Sequence, residues 1–210
     1  MGEKEVIFDN DITSIIFKYG TKRTFAKDSN IYKVNSGITR CYFLLSGSVK
    51  IYIDHKNGRR SILDLVGSNG WLGELSLFCN ESDIKENKVL HDVECLEFDM
   101  DELRKLCEEN AKVSFYFASY IAEKLLARSY RMSESLNYPL EIRLASFILL
   151  HQQKGVYNIP HTDISEYMNV SYRHVLYVIK KLCEQGILTK EKGKGYIISD
   201  MEKLEQLQDK

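Results

Sequence analysis

Residues 172–181 carry side chains with the chemistry needed to bind nucleic acid. Their polar members are all cationic or aromatic: Tyr172, Arg173, His174, Tyr177, Lys180 and Lys181. No acidic residue follows before Glu184. An arginine fork can clamp a guanine edge, whereas lysine ammonium groups bind phosphate without specifying a sequence. The alternative interpretation is an ordinary helical hairpin with a solvated basic face.

The spacing of the neighbouring residues predicts two short helices joined by a tight turn. Apolar residues at helical spacing would form the inner face of the second helix: Val175, Val178, Ile179 and Leu182. An i, i+3, i+4 stripe predicts the first helix: Ile164, Tyr167 and Met168. Between them, Asn169 tolerates a left-handed backbone, and the hydroxyl of Ser171 can accept an amide proton from the second helix.

A hairpin is predicted after this pair of helices. The segment ILTKEKGKGYII follows Gly186 and would turn at Gly193-Lys194-Gly195. Lys192 and Lys194 of this wing are further phosphate candidates. Helix, turn, second helix and wing form a winged helix-turn-helix, whose second helix suits a DNA major groove.

The charge of the chain is unevenly distributed. The net charge of the chain is −1. Residues 1–111 hold 15 basic and 19 acidic residues, whereas residues 172–196 hold six basic and two acidic residues. Local charge matters because phosphate attraction is screened within about 8–10 Å. The N-terminal sequence lacks a signal peptide, and no apolar run could span a bilayer, so a cytoplasmic protein without a membrane partner is expected.

The first half of the chain has the pattern of an antiparallel β domain. From Lys22 to about Phe98, short alternating runs are separated by turn signals such as Asn57-Gly58. Gly67, Gly70 and Gly73 punctuate the later part. Many short strands with glycine turns favour a closed antiparallel roll or a small barrel.

Residues 112–137 are predicted to form one long helix, because they contain neither proline nor glycine. Spacings of four and three mark a coiled-coil seam: Ser114, Ala118, Ile121, Leu125, Arg128, Met132 and Ser135. We expect Ile121, Leu125, Arg128 and Met132 to form a two-chain interface; packing on its own domain is the alternative, especially for the first half.

The next helix is predicted after a hinge. Pro139 ends the long helix, and Tyr138 before it is biased out of helical geometry. Residues 140–152 would form another helix, with an inward face that we expect to consist of Leu140, Leu144, Phe147, Ile148 and Leu150.

These elements, in this order, resemble the Crp/Fnr family of transcription regulators. The resemblance rests on YFLLSGSVKIY and Gly-Glu-Leu-Ser-Leu-Phe in the β region, and on RLASFILL and SYRHVLYVIKKL, which are most similar to the YeiL-type subgroup. It implies an α+β fold: a jelly-roll sensor like a cyclic-nucleotide-binding domain (1–111), a dimerisation helix and hinge (112–138), and a winged helix-turn-helix (139–210). It also implies a homodimer on palindromic double-stranded DNA, with half-sites about 34–36 Å apart.

The resemblance also assigns the DNA-contacting positions. The family often presents an acidic residue and arginines, where this chain has Tyr172, Arg173 and Tyr177, with His174 beside them. Arg173 would clamp guanine, and the tyrosines would contact thymine methyls or phosphates. The remaining candidates would bind phosphate: Lys180, Lys181, Lys192 and Lys194. An operator different from the family's best-known half-site is therefore expected. Whether the protein activates or represses transcription is left open. A contact of RNA polymerase with loop 151–158 is also left open.

The signal is expected to differ from cAMP. In the family's cyclic-nucleotide binders, the Gly-Glu-Leu glutamate holds the ribose and an Arg-Ser pair follows, the arginine holding the phosphate. Here Gly73-Glu74-Leu75 is present, but the pair falls on Asp83-Ile84 or Ile84-Lys85, which lack the guanidinium fork. Arg128-Ser129 replaces a Thr-Ser pair on the long helix. The expected effector pocket is thus Gly73, Glu74, Leu75, Arg128 and Ser129, and Arg128 would anchor another anion or bridge to an acidic partner.

Other cofactors and functions are not predicted. The family's iron–sulfur branch has closely spaced N-terminal cysteines, and the first 40 residues contain none. A thiol-based response stays open for the scattered cysteines: Cys41, Cys79, Cys95, Cys107 and Cys183. Only His55 and His91 fall in the β region, so neither a metal centre nor catalysis is expected. The rival to an effector-sensing regulator is a ligand-independent one whose roll is only a scaffold.

Overall fold

The computed structural model describes residues 10–32, 37–79, 85–193 and 195–208. The chain divides into two compact units, one reaching Leu126 and the other beginning at Ala127. This division falls inside one helix, so the helix contributes residues to both units. The domain boundaries expected from the sequence, at 111 and 138, stay a prediction.

The N-terminal unit is an antiparallel sheet flanked by helices. Its elements are α1 (Asn10–Phe17), β1 (Thr21–Phe25), β2 (Arg40–Asp54), β3 (Arg60–Val66), β4 (Trp71–Leu72), a 3₁₀ helix (Glu74–Leu77), β5 (Glu86–Asp99), α2 (Met100–Glu109) and the first part of α3 (Ala111–Asn137). The strands pair in the order β1-β5-β2-β3, with β4 on β2, and every pair is antiparallel. The predicted antiparallel β domain is confirmed.

Strand β2 bends in its middle. Its register with β5 shifts around Ser46–Ser48. Gly47 has a φ of +84°, and a Cβ atom there would lie 2.2 Å from the carbonyl oxygen of Asp92. Only glycine fits this close approach in a left-handed conformation. The Ser-Gly-Ser segment therefore bends one long strand and does not end it.

The core of this unit surrounds Trp71. Its ring lies 5.0 Å from that of Phe43, 5.2 Å from that of Phe98 and 4.9 Å from that of Phe117, measured between centroids. The indole nitrogen donates to the Tyr116 hydroxyl at 3.0 Å, and the Trp71 amide donates to the Tyr120 hydroxyl at 2.8 Å. Phe117, Tyr116 and Tyr120 all belong to α3, so this helix is attached to the sheet by apolar packing and by two hydrogen bonds.

The C-terminal unit contains the predicted winged helix-turn-helix. Its elements are the end of α3, α4 (Leu140–His151), β6 (Val156–Tyr157), α5 (His161–Met168), α6 (Tyr172–Glu184), β7 (Leu188–Glu191), β8 (Gly195–Ile198) and α7 (Met201–Gln208). The three strands pair in the order β6-β8-β7. The helix pair is α5 and α6, and the wing is β7 and β8, as predicted.

The residues that end α5 and begin α6 adopt the conformations predicted from the sequence. Asn169 ends α5 in a left-handed conformation, with φ 54° and ψ 43°. The Ser171 hydroxyl accepts a hydrogen bond from the His174 amide at 3.2 Å. The four predicted inner residues of α6 are buried: Val175, Val178, Ile179 and Leu182.

One residue predicted to face inward on α4 does not. Leu150 is 48% exposed, although the other four predicted core residues are buried: Leu140, Leu144, Phe147 and Ile148. A helix turns about 100° per residue, so Leu150 lies about 200° around α4 from Ile148 and outside the buried stripe. The prediction for Leu150 was wrong because it followed hydrophobicity and not helical position.

Helix α3 confirms the single long helix predicted over residues 112–137. Its buried face contains Val113, Tyr116, Phe117 and Tyr120. A second set of large apolar side chains is exposed along its length: Phe115, Leu125, Leu126, Tyr130, Met132 and Leu136. Across the described part of the chain, no helix combines the length and apolar character needed to cross a membrane.

Candidate nucleic-acid interface and effector site

The outer face of α6 presents the side chains expected to contact DNA. Arg173 and His174 are exposed, and the exposed fractions of Tyr172 and Tyr177 are 46% and 67%. Because the opposite face of α6 is buried, these side chains are held on a fixed helix surface. The first turn of α6 carries no acidic residue, so no carboxylate there repels a phosphate.

Two lysines of α6 differ in their partners. Lys180 lies about 20° around the helix from Arg173 and is 3.5 Å from Glu184, both side chains being largely exposed. Lys181 lies about 80° from Arg173, and its ammonium contacts the Glu141 carboxylate of α4 at 2.5 Å. This hydrogen bond raises the pKa of Lys181. Lys181 therefore joins α6 to α4, and its predicted contact with phosphate stays a prediction.

A ring cluster supports the start of α6. His161, at the start of α5, lies 5.6 Å from the Tyr196 ring of β8 and 6.3 Å from the Tyr172 ring of α6, between centroids. Burial, with a smaller contribution from the charge of Lys190, lowers the pKa of His161. The His161 ring therefore lies near one tyrosine of the wing and one of α6. In the wing, Lys192 is exposed, and Lys194 lies outside the described residues.

The Gly73-Glu74-Leu75 motif of the N-terminal unit forms a turn in which Glu74 is buried. Gly73 has a φ of +86°, and a Cβ atom there would lie 2.3 Å from the Tyr32 hydroxyl. Glu74 begins the 3₁₀ helix and is only 4% exposed. A charged carboxylate this deeply buried is costly unless a cation or hydrogen-bond donors accompany it.

The cation beside Glu74 is Lys124 of α3. Its ammonium lies 2.8 Å from Glu74 and 3.2 Å from Asp64 of β3. Burial alone would lower the pKa of Lys124, but the two carboxylates outweigh it and raise that pKa above its usual value. The sequence interpretation missed Lys124 and Asp64. One signal was available: Lys124 follows Tyr120 by four residues, on the face of α3 that packs on the roll.

Two further residues were expected in the effector pocket. Arg128 and Ser129 belong to the C-terminal unit, where Arg128 is half-buried and Ser129 is exposed. Their predicted place in an effector pocket stays a prediction. Asp83 and Ile84, two of the positions that replace the family's Arg-Ser pair, lie outside the described residues.

The cysteines do not form a group suited to a metal or cluster. No group of three or more His, Cys, Asp or Glu side chains in the described ranges could hold a metal ion. Burial raises the pKa of Cys41, raises that of Cys95 to about 11, and also raises those of Cys107 and Cys183. Raised pKa values disfavour the thiolate, which is the reactive form. Cys79 is exposed.

In comparisons with known proteins, both halves of the chain match known domains. Residues 22–110 match the cyclic nucleotide-binding domain, and residues 142–207 match the Crp-like helix-turn-helix domain. Regulatory protein YeiL of Escherichia coli O157:H7 is 31% identical over 170 residues, which cover 79% of this chain and 75% of YeiL. The chain belongs to the Crp/Fnr family. It is a transcription regulator with a cyclic-nucleotide-binding-like domain and a Crp-type helix-turn-helix, and its likeness to YeiL confirms the YeiL-type assignment.

Other Crp/Fnr proteins agree with this assignment. The cAMP-activated global regulator Vfr of Pseudomonas aeruginosa is 26% identical over 190 residues, covering 84% of this chain and 88% of Vfr. A Crp/Fnr-family structure from Eubacterium rectale has a TM-score of 0.78 at 17% identity, covering 97% of this chain and 96% of that one. At that identity, the structural likeness supports the Crp/Fnr fold alone.

Proposed function

We propose that this Crp/Fnr regulator binds palindromic double-stranded DNA as a homodimer, with α6 as its recognition helix. The observation that carries the proposal is the exposed, cationic and aromatic face of α6 within a Crp-like helix-turn-helix. Arg173 lies in the first turn of α6, where helices of this class bring side chains to base edges. Lys180 and Lys192 are the exposed phosphate candidates among the described residues, and the half-buried Lys181 is a third.

The exposed apolar side chains of α3 support the homodimer. Leu125 is 65% exposed and Met132 is 69% exposed. With Ile121 and Arg128 they repeat at spacings of four, three and four, which is the pattern of a two-helix seam. A twofold axis along this seam would present two copies of α6 to a palindrome.

Arg173 and Lys180 are expected to contribute differently to DNA binding. After the operator has been found by selection from random DNA, Arg173→Ala should weaken binding to it by ~1–3 kcal/mol and relax preference at one base pair per half-site. Lys180→Ala should weaken operator and random DNA alike and flatten the salt slope by about one per subunit. Titrations at several salt concentrations measure both effects.

Lys181→Ala is the matched control for Lys180→Ala. Because Lys181 is bound to Glu141, its replacement should change the salt slope less than that of Lys180. Equal weakening of operator and random DNA by Arg173→Ala would make Arg173 a phosphate ligand and contradict its assignment to a base. Base contacts would then fall to Tyr172, His174 and Tyr177. Failure of the wild-type protein to select any sequence would contradict the whole proposal.

The proposed signal of the N-terminal unit is not cAMP. In family members that bind cAMP, the motif glutamate holds the ribose; here Glu74 is paired with Lys124. The same pair favours a second candidate function, a ligand-independent regulator, because Glu74 already has a cation without any ligand. A thermal-shift screen of metabolites separates the candidates: saturable stabilisation supports sensing, and its absence supports the scaffold.

A titration calorimetry experiment tests the exclusion of cAMP. We expect no binding of cAMP at micromolar concentrations, because a ligand would have to displace Lys124 from Glu74 and would find no arginine at 83–85. Vfr, which is cAMP-activated, is the positive control. Tight cAMP binding that also raised DNA affinity would contradict this part of the proposal.

The proposal also includes a cytoplasmic location and a contact with RNA polymerase. A regulator of transcription meets its DNA in the cytoplasm of a bacterium, and the relatives named above are bacterial. Gln153 and Lys154 are exposed in the segment after α4, which offers a surface for RNA polymerase. A non-enzymatic role is supported by the regulatory relatives.

A further inference from the structure

Arg131 of α3 makes a specific contact with the first helix of the helix-turn-helix. Its guanidinium donates a hydrogen bond to the Tyr167 hydroxyl of α5 and lies 5.1 Å from the centroid of that ring. The Tyr167 ring packs on Phe147 of α4, with centroids 4.9 Å apart. Both Arg131 and Tyr167 are half-buried. An arginine that both stacks on a phenol ring and donates to its hydroxyl holds that ring in one orientation.

This contact spans the hinge between α3 and the rest of the C-terminal unit. Only Tyr138 and Pro139 separate α3 from α4. The proline ring fixes one torsion, with φ at −57°, but the other torsions of the two residues could let α4 swing. Arg131 lies about two turns before the hinge, so its contact with α5 is a second attachment away from the pivot.

We infer that Arg131 is a positioning residue, whose contact with Tyr167 fixes the direction in which α6 extends from the end of α3. This inference rests on the proposed dimer: with α3 in the seam, the Arg131–Tyr167 contact sets the distance between the two copies of α6. Binding of the second half-site is then intramolecular, and its effective concentration depends on whether the geometry matches the operator. Arg131 therefore determines which half-site spacing the dimer binds best, although it does not contact DNA.

The test compares a palindromic operator, a single half-site, and palindromes whose half-sites are moved together or apart by one and two base pairs. For Arg131→Met and Tyr167→Phe, we expect about tenfold loss of the preference for the palindrome over the half-site. Affinity for the half-site should stay within about twofold of wild type. Both variants should also discriminate less against the altered spacings. Arg131→Lys keeps the charge but loses the fork, so an intermediate loss is expected.

Tyr130→Phe is the matched control, since it removes an exposed tyrosine hydroxyl from the neighbouring position of α3. It should leave all ratios unchanged. Equal weakening of palindrome and half-site would show that the contact only stabilises the helix-turn-helix and would overturn the inference, as would unchanged spacing selectivity in Arg131→Met. A wild-type protein without preference for the palindrome would instead refute the proposed dimer, before any variant is compared.

Discussion

Replacement of Lys124 by methionine is expected to lower the free energy of unfolding of the N-terminal unit by about 3–5 kcal/mol at pH 7. The Lys124 side chain is 18% exposed, and its removal would leave two carboxylates, Glu74 and Asp64, buried without their cation. An uncompensated buried charge costs more than the lost ion pair itself, because the desolvation of the carboxylates remains. Calorimetric melting of wild type and variant measures the difference.

The loss should depend on pH in a defined direction. In the wild type, the raised pKa of Lys124 means that its contribution is complete below pH 10.5, the ordinary pKa of lysine, and is lost as the pH rises above it. The difference between wild type and Lys124→Met should therefore be constant below pH 10.5 and shrink as the pH rises above it. Adding Glu74→Gln to Lys124→Met should restore part of the stability at pH 8.

Lys105→Met is the control for Lys124→Met. Lys105 is 74% exposed and lies 3.8 Å from Glu109, so its removal should cost less than about 0.5 kcal/mol, without a trend between pH 5 and pH 8. A Lys124→Met protein as stable as the wild type at pH 8 would show that the pair does not stabilise the unit.

Replacement of Leu125 by aspartate is expected to convert the proposed dimer into a monomer. Two like charges, one from each chain, would replace two leucines of the helix seam, where a buried charge costs about 3–5 kcal/mol. A cost of this size raises the dissociation constant of the dimer by about two to four orders of magnitude. Sedimentation at micromolar concentration should therefore show monomer, and binding to the palindrome should fall to that of a half-site.

Ser133→Asp tests whether the position of the charge matters. Ser133 is exposed and lies one residue, and so about 100°, around α3 from Met132 of the seam. The same aspartate there should leave the dimer intact. Dimers that persist in both Leu125→Asp and Ile121→Asp would place the interface elsewhere on the chain.

The sequence predicted the C-terminal unit well because its signals are local. The cap at Ser171, the left-handed residue at Asn169 and the buried stripe of α6 each depend on residues within one or two helical turns. The Asn57-Gly58 turn is another such case: the His55 amide donates to the Arg59 carbonyl at 2.8 Å across it. Patterns of this kind need no knowledge of tertiary contacts.

The features that the sequence did not predict depend on distant partners. Lys124 meets a carboxylate 50 positions earlier, and Lys181 meets one 40 positions earlier. Each lysine taken alone has the pattern of a solvated cation on a helix, so periodicity could not show that it is paired with a distant carboxylate. The burial of Ile12 and Ile16 of α1 likewise depends on distant partners, because both residues pack in the core around Trp71.

The place of Trp71 gives the molecule an intrinsic optical reporter. It is the only tryptophan of the chain, and the two side chains that accept hydrogen bonds from it, Tyr116 and Tyr120, belong to α3. Any compound that shifts α3 against the sheet would change the polarity around this indole and therefore its fluorescence. The effector of the unlabelled wild-type protein can thus be sought by measuring tryptophan fluorescence alone, before an operator or a target gene is known.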